Sequence, residues 1–275
     1  MSTFRLNLTH RLFRPIYPAL RALLLRNRLF LRKTTKPDQI RNFASAVSPQ
    51  LTSRPLIRIG GAGDGGYLVP DDLSGVEICF SPGVSTTASF EEDLANRGVR
   101  SFLADYSVEE PPISRIEFEF DKKFLGVCDT DVHLRLESWV NAKAPDGTDF
   151  ILQMDIEGAE YAVLLDSNRD TLRRFRILVI EFHNFDNICD PLGFEIINST
   201  MTKLLQDFYV VHIHPNNWGE SVQFFGLKIP TVMEFTFLRR DRAELVGPAT
   251  QFPHPFDRPN YTDKPDLVLA GCWHK

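Results

Sequence analysis

The chain has 275 residues, of which 43% are hydrophobic and 24% are charged; these ordinary globular proportions exclude a disordered chain, a fibre and a disulfide-rich scaffold. Its four cysteines lie far apart and form no CxxC pair, which excludes a zinc knuckle and a thiol redox motif and favours a reducing, cytoplasmic compartment. The formal net charge is −5, and all 36 acidic residues follow position 36, so the body of the chain is acidic and is not expected to bind nucleic acid.

Residues 1–36 form a basic N-terminal arm. The arm carries nine arginine and lysine side chains, no acidic one, and many leucines and phenylalanines. Pro15 and Pro18 would interrupt a helix in its first half, so we expect one helix over about residues 19–32. Such a helix can lie on an anionic membrane surface, which predicts peripheral membrane contact, but arginines interrupt it too often for a membrane-spanning helix. A packing arm, an oligomerisation helix and an organellar transit peptide are the alternatives.

From Ile40 onward, short apolar runs typical of buried strands alternate with amphipathic helical patterns. The strands are expected at residues 76–81, 99–105, within 116–127, 150–155, 177–183, 208–214 and 232–239. The helices are expected at residues 87–97, 134–142, 159–175 (one or two helices) and about 194–205. This alternation predicts an α/β fold with a doubly wound, mostly parallel sheet over residues 37–242. The Pro-rich tail, residues 243–275, is expected to be irregular chain that packs on this domain.

Two residues that follow the first two expected strands suggest a nucleoside site. An open parallel sheet binds ligands beyond the carboxyl ends of its strands. Gly83 lies in the turn after the first strand and lets the backbone approach a ligand closely. Asp105 follows the second strand at roughly the ~20-residue spacing at which an acidic side chain accepts hydrogen bonds from ribose hydroxyls. A generic turn glycine and a strand-end aspartate are the alternative.

A glycine-rich turn at residues 61–66 matches the pattern GxGxxG. That fingerprint must open a helix, whereas residues 67–70 have the pattern of a strand that ends at Pro70. We therefore interpret the turn as a flexible hairpin near the pocket, with Asp64 and Tyr67 as candidate ligand contacts, rather than as a dinucleotide site.

Three carboxylates, Asp155, Glu157 and Glu160, lie within six residues that begin at the last residue of the expected strand 150–155. Their mutual repulsion is costly unless a cation, a proton or hydrogen-bond donors lie between them. Asp155, at the end of the strand, is expected to be functional. Glu157 and Glu160 have an alternative role, because negative charge in the first turn of a helix is favoured by the helix dipole.

Two further strands end in Glu181-Phe182-His183 and in His212-Ile213-His214. Alternation along a strand places the two polar residues of each triplet on one face. Such pairs can act as general bases or bind a divalent metal. We expect His183, with Asp155 and Glu181, to face a substrate hydroxyl, and His212 to be structural. A metal-dependent hydrolase is an alternative, and its ligands and base would be Asp155, Glu181, His183, His212 and His214.

Taken in order, these motifs resemble the FkbM-type methyltransferases. Residues 154–160 (MDIEGAE) are similar to the signature turn K-x-D-[IV]-E-G-x-E of that family, although the preceding lysine is absent. The resemblance extends over about residues 55–240 and includes residues 64–67, residues 83–91, Asp105, residues 180–183 and residues 212–217. The GxGxG turn of many methyltransferases is absent, because residues 81–85 retain only Gly83.

The resemblance implies a Rossmann-like methyltransferase fold with seven strands, the last inserted antiparallel. It also implies methyl transfer from S-adenosylmethionine, commonly to a hydroxyl oxygen of a sugar, a glycan or a secondary metabolite. Gly83 and Asp105 would hold the methionine and ribose parts of the cofactor, with Phe90 and Glu91 supporting the first turn. The residues that would border the acceptor are Asp155, Glu181 and His183. A divalent metal as a second cofactor stays open, as does a methyltransferase-like binding module that has lost catalysis.

Overall fold

The structure, a computed structural model, describes residues 16–274. Its helices are α1 (Ile16–Arg26), α2 (Pro37–Ala46), α3 (Ser89–Ala95), α4 (Leu136–Lys143), α5 (Glu160–Asp166), α6 (Arg169–Leu172) and α7 (Pro191–Leu204). Its strands are β1 (Gln50–Thr52), β2 (Leu56–Ile59), β3 (Tyr67–Pro70), β4 (Ile78–Pro82), β5 (Arg100–Ala104), β6 (Phe118–Asp121), β7 (Phe124–Gly126), β8 (His133–Arg135), β9 (Phe150–Met154), β10 (Phe175–Phe182), β11 (Phe208–Pro215), β12 (Ser221–Phe224), β13 (Leu227–Pro230), β14 (Met233–Arg239) and β15 (Leu245–Pro248). Within residues 16–274, no helix has the length and apolarity needed to cross a bilayer.

Seven strands form the central sheet, in the order β11-β14-β10-β9-β4-β5-β6. Neighbouring strands from β10 to β6 are parallel, and β14 lies antiparallel between β10 and β11. The predicted doubly wound, mostly parallel seven-stranded sheet is therefore confirmed. The chain moves outward from β4 through β5 to β6 and then returns to β9 on the other side of β4. This reversal places the ligand-binding crevice at the carboxyl ends of β4 and β9.

The central strands form because long apolar runs are buried on both faces. Every residue of β9 and β10 is buried, as expected for a parallel sheet covered on two sides. Along β4, successive side chains enter opposite clusters: Phe80 packs with Trp139 and Phe175, and Cys79 packs with the β2–β3 hairpin. Full burial of each large apolar side chain stabilises the fold by about 1.5–3 kcal/mol.

Two charged residues interrupt the apolar run of β10, one near each end. Arg176 is buried, and its guanidinium donates to the backbone carbonyls of Asp72 and Ser74 and pairs with Asp149 at 3.1 Å, whereas its Nε atom has no hydrogen-bond partner. Glu181 is buried at the carboxyl end, where ligands bind. Arg176 is therefore explained by its contacts within the fold, whereas Glu181 lies at the candidate site.

Several boundaries differ from the expectation. Helix α1, described over Ile16–Arg26, includes Pro18 and ends at Arg26 rather than near residue 32; Pro15 lies outside the described residues. The segment 159–175 contains two helices, and its last residue already belongs to β10. The segment 116–127 holds two strands, of which β7 pairs with β8.

The expectation of an irregular tail is wrong at residues 245–248. These residues form β15, which pairs antiparallel with β1. After β15 the tail runs over the carboxyl ends of the central strands, where the backbone N–H of Asp64 donates to the Asn260 carbonyl at 3.1 Å. The turn at residues 61–66 joins the antiparallel strands β2 and β3, so it is a hairpin and opens no helix. Hairpin and tail together cover the crevice.

Candidate functional site

Gly83 lies where the loops after β4 and β9 come into contact. Its φ is +89°, and a Cβ atom built there would lie 1.5 Å from the carbonyl oxygen of Asp155. Only glycine fits, because any side chain would overlap a backbone atom that cannot rotate away. The close approach expected at Gly83 is thus between two loops of the protein itself, and it fixes Asp155 at the centre of the crevice.

Asp105 is buried at the end of β5 and organises two loops. One of its carboxylate oxygens accepts from the backbone N–H of Ser85 at 2.9 Å, and the other accepts from the N–H and hydroxyl of Ser107 at 2.8 and 2.7 Å. The residue also lines a cavity of about 520 Å³, here named the wide cavity, which is bounded by Gly83, Ser85, Asp105, Leu125, His133 and Asp155. This volume is typical of small-ligand sites.

A second space, the middle cavity, lies between the Gly83 loop, the hairpin and the tail. It measures about 150 Å³ and is bounded by Asp64, Tyr67, Gly83, Glu91, Asp155 and Tyr261. Phe90 also lines this cavity and packs edge-on against Tyr67, with ring centroids 5.8 Å apart. Burial raises the pKa of Glu91. A protonated Glu91 carboxyl can donate to the Ser81 hydroxyl oxygen. The Ser81 hydroxyl then donates to the Gln153 side-chain oxygen at 2.7 Å.

A third space, the acidic cavity, holds the residues that were expected to border the acceptor. It measures about 200 Å³ and is bounded by Asp64, Asp155, Glu181, His183, Trp218 and Tyr261. The Nε2 atom of His183 lies 3.8 Å from Asp155 Oδ1 and 3.6 Å from Glu181 Oε1. The predicted trio is therefore brought together, because β9 and β10 are parallel neighbours that end at the same edge.

Glu160 is a site residue whose role the sequence did not reveal. Its side chain is 0% exposed. Its Oε1 atom accepts from the backbone N–H groups of Ile156 and Gly158 at 3.2 and 3.0 Å and lies 3.0 Å from Nδ1 of His183. Because Nδ1 faces a carboxylate, it carries a proton, and Nε2 is the atom that faces the cavity. Glu160 thus orients His183.

The ionisation of this trio is strongly perturbed. Burial, reinforced by Glu157 and Glu160, raises the pKa of Asp155 to about 7. Burial and the nearby Asp155 carboxylate raise the pKa of Glu181 well above its ordinary value. Burial opposes a charged imidazole at His183, yet the Glu160 hydrogen bond and the surrounding carboxylates prevail and raise its pKa. Perturbed pKa values of this kind are typical of functional sites.

His212 and His214 do not join this trio and instead hold the tail. His212 Nε2 lies 2.9 Å from one carboxylate oxygen of Asp257, and His214 Nδ1 lies 3.8 Å from the other. The second oxygen also accepts from the backbone N–H of His254 at 2.7 Å. The five-residue ligand set of the alternative hydrolase is therefore not assembled, and we name these contacts the tail clasp.

The comparisons with known proteins agree with the sequence motifs. Residues 87–208 match the model of the methyltransferase FkbM domain. No curated protein matches the chain. Among solved structures, a chain of the fibrillarin/Nop5p complex is 12% identical with a TM-score of 0.37, and the match covers 60% of this chain and 73% of that one. The putative RNA methyltransferase PH1948 from Pyrococcus horikoshii is 11% identical with a TM-score of 0.34, covering 74% and 99%.

A further solved structure is the N-terminal domain of EvdMO1 in the presence of SAH and D-fucose. It is 9% identical with a TM-score of 0.33, and the match covers 75% of this chain and 97% of that one. The family match covers residues 87–208, a segment that is similar to the methyltransferase FkbM domain and that includes Asp105, Asp155 and His183.

Proposed function

We propose that this protein is an S-adenosylmethionine-dependent methyltransferase that methylates a hydroxyl oxygen of a sugar, glycan or other small molecule. The observation that carries the proposal is that the three cavities adjoin at the switch point of the sheet. Asp155 and Glu157 line all three. A cofactor that extends through the wide and middle cavities would therefore point its methyl group towards the acidic cavity.

The wide cavity suits the adenosine part. A carboxylate has about four lone-pair sites, and Asp105 uses three of them on Ser85 and Ser107. The fourth is available for a ribose hydroxyl. Phe124 and Leu125 add apolar wall for a base. The expected role of Asp105 in ribose binding is thus compatible with its structural hydrogen bonds.

The middle cavity suits the charged part of the cofactor. S-adenosylmethionine carries a sulfonium and an ammonium group, both positive. Asp64, Asp155 and Glu157 line this cavity, together with Gly83 and the buried Glu91. Because opposite charges attract strongly in a partly buried site, these carboxylates favour a cation over a neutral ligand.

Methyl transfer at this junction requires alignment and removal of one proton. S-adenosylmethionine held there would supply an electrophilic methyl group, and in-line attack by the acceptor oxygen would form the O–CH3 bond as the S–CH3 bond breaks, with S-adenosylhomocysteine as the leaving group. The hydroxyl proton passes to the Asp155–His183 pair, whose Oδ1 and Nε2 atoms face the same space. Alignment can contribute up to about 7–11 kcal/mol, and general-base assistance typically about 10²–10⁴-fold.

Titration with S-adenosylhomocysteine tests the proposal. Calorimetry is expected to show one site, and Asp105→Asn is expected to weaken binding by about 10–100-fold, the value of a hydrogen bond to a charged group. The matched control is Asp170→Asn, since Asp170 is exposed at the start of α6. Absence of binding to the folded wild-type protein contradicts the proposal. Binding without transfer of a labelled methyl group to any member of a glycan and metabolite panel favours a non-catalytic module.

We also propose that the N-terminal arm binds anionic membranes. In its described part, Leu23, Leu25, Leu29, Phe30 and Leu31 are 49–57% exposed. Apolar side chains among arginines suit an anionic bilayer through both burial and charge. The arm rejoins the body at Thr35, which is buried and whose backbone N–H donates to the Cys189 carbonyl at 2.8 Å.

Deletion of residues 1–30 is expected to abolish co-sedimentation with phosphatidylserine-containing vesicles, because it removes the exposed apolar residues up to Phe30 and most of the basic charge of the arm. The deletion leaves Thr35 and its contact in place. Pure phosphatidylcholine vesicles serve as the control for the charge requirement. Equal sedimentation of the full chain and the deletion variant would contradict this proposal.

A further inference from the structure

Two carboxylate oxygens of the residues that line the acidic cavity are buried and have no hydrogen-bond partner. They are Asp155 Oδ1 and Glu181 Oε2. Glu181 is only 4% exposed, and its other oxygen accepts from the Asn216 side chain at 2.9 Å. Buried polar atoms in folded proteins nearly always have a hydrogen-bond partner, so we expect a ligand in the acidic cavity to contact both oxygens.

The imidazole of His183 has the environment of a metal-ligating histidine. Such histidines usually donate their second ring N–H to a carboxylate, which fixes the ring and raises the basicity of the ligating nitrogen. Glu160 occupies that position at Nδ1. The remaining atom, Nε2, lies 3.8 Å from the unpartnered Asp155 Oδ1, 3.6 Å from Glu181 Oε1 and 3.5 Å from the exposed Glu157 Oε2.

The three donors are spaced for one cation. One ligand atom each from Asp155, Glu181 and His183 lies within 4.8 Å of the other two, and the two measured separations from Nε2 are 3.6 and 3.8 Å. Ligands bound at about 2.0–2.4 Å from a cation stand roughly 3–4.5 Å apart, so a small contraction completes the geometry. The rest of the acidic cavity leaves open positions for water or an acceptor.

We propose that Asp155, Glu181 and His183 bind one divalent cation of the Mg²⁺ or Mn²⁺ class at the acceptor end of the site. Two carboxylates and one imidazole, with no thiolate, favour such a hard cation. A cation there lowers the pKa of a hydroxyl that binds to it. Asp155 can bind the cation with one oxygen and receive the hydroxyl proton with the other. The role in methylation rests on the proposed function, whereas cation binding does not.

Titration of EDTA-treated protein with Mn²⁺ tests the site. The signal of free Mn²⁺ in electron paramagnetic resonance is expected to fall with a stoichiometry of one per chain. Glu181→Gln and His183→Ala are each expected to weaken binding at least 10-fold. The matched control is Glu234→Gln, because Glu234 is a buried glutamate directly opposite Glu181 on β14 but outside the trio. Equal affinity of the wild type and both trio variants overturns the site, as does the absence of Mn²⁺ binding to the wild type.

A second measurement keeps the test valid if a variant fails to fold. Electron spin echo envelope modulation of wild-type protein with bound Mn²⁺ is expected to show coupling to an imidazole nitrogen, and the absence of that coupling overturns the proposal. S-adenosylhomocysteine titration of the metal-free protein separates the two hypotheses. Cofactor binding without Mn²⁺ binding rejects only the cation site, and Mn²⁺ binding without cofactor binding rejects only the proposed methyltransferase activity.

Discussion

Replacement of Gly83 by alanine is expected to weaken S-adenosylhomocysteine binding by about 100-fold, the penalty that a displacement of about 1 Å can impose at an active site. The new methyl group would overlap the Asp155 carbonyl at 1.5 Å, and the positive φ adds backbone strain. Because both neighbours are backbone, the β4 and β9 loops must separate. The wide and middle cavities meet at this contact, so both change shape.

Gly98→Ala is the matched control for this prediction. Gly98 has nearly the same dihedral angle, with φ of +83°, but a Cβ atom there meets nothing within 4 Å. The control variant should lose only the strain of a left-handed residue, about 1–2 kcal/mol, and keep its affinity. Calorimetric titration and denaturant unfolding measure both quantities. If the two variants behave alike, the close contact between the two loops is wrong.

Asp257→Asn is expected to lower the free energy of unfolding by about 3 kcal/mol, because it leaves the buried, protonated His214 without its counter-charge and weakens the hydrogen bond at His212. The carboxylate holds the tail to β11 through His212 and His214. Asp263→Asn is the control, since Asp263 is exposed in the same tail. Urea unfolding followed by circular dichroism makes the measurement. A difference between the two variants below about 0.5 kcal/mol, the range of ordinary surface substitutions, would show that the tail clasp does not stabilise the fold.

The contribution of the tail clasp should also depend on pH. Although burial opposes it, the two histidines hold the pKa of Asp257 far below its usual range, so this carboxylate stabilises the fold above about pH 4 and loses that effect at lower pH. Burial disfavours a charged His214, but Asp257 and Glu234 prevail and raise its pKa to about 9. That stabilisation is complete below about pH 6.5 and disappears as the pH rises through about 9. The difference between wild type and Asp257→Asn should therefore shrink over that upper range.

The sheet was predictable because its central strands are buried on both faces. Residues 150–154 and 175–182 are apolar except at Gln153, Arg176 and Glu181, and such runs predict buried strands without any knowledge of the neighbouring segments. Strand β15 was missed for the opposite reason: it is largely exposed and is held by backbone hydrogen bonds to β1, which leave no periodic pattern. The hairpin of β12 and β13 was not predicted either, although the sequence contains a signal for it. That signal is Gly226, which has a positive φ at the turn.

The trio of the acidic cavity was predictable from the strand-end rule alone. Asp155, Glu181 and His183 each follow an apolar run, and parallel neighbours end at one edge. The contact between Glu160 and His183 was not predictable from the sequence. Glu157 and Gly158 have positive φ values, and this turn directs the Glu160 side chain towards His183 at the end of β10. Asp257 and Tyr261 were also missed, since no local pattern encodes contacts over such sequence separations.

Under the proposed function, the tail that closes the acidic cavity would help to select the acceptor. Tyr261 forms part of the wall, yet it lies more than fifty residues beyond the segment 87–208 that carries the family match. Substitutions in this late segment would reshape the entrance for an acceptor while the loops around Gly83 and Asp105 keep their form. Under the proposed function, two chains that share the loops around Gly83 and Asp105 would therefore diverge in acceptor through substitutions in a segment that lies outside the family match.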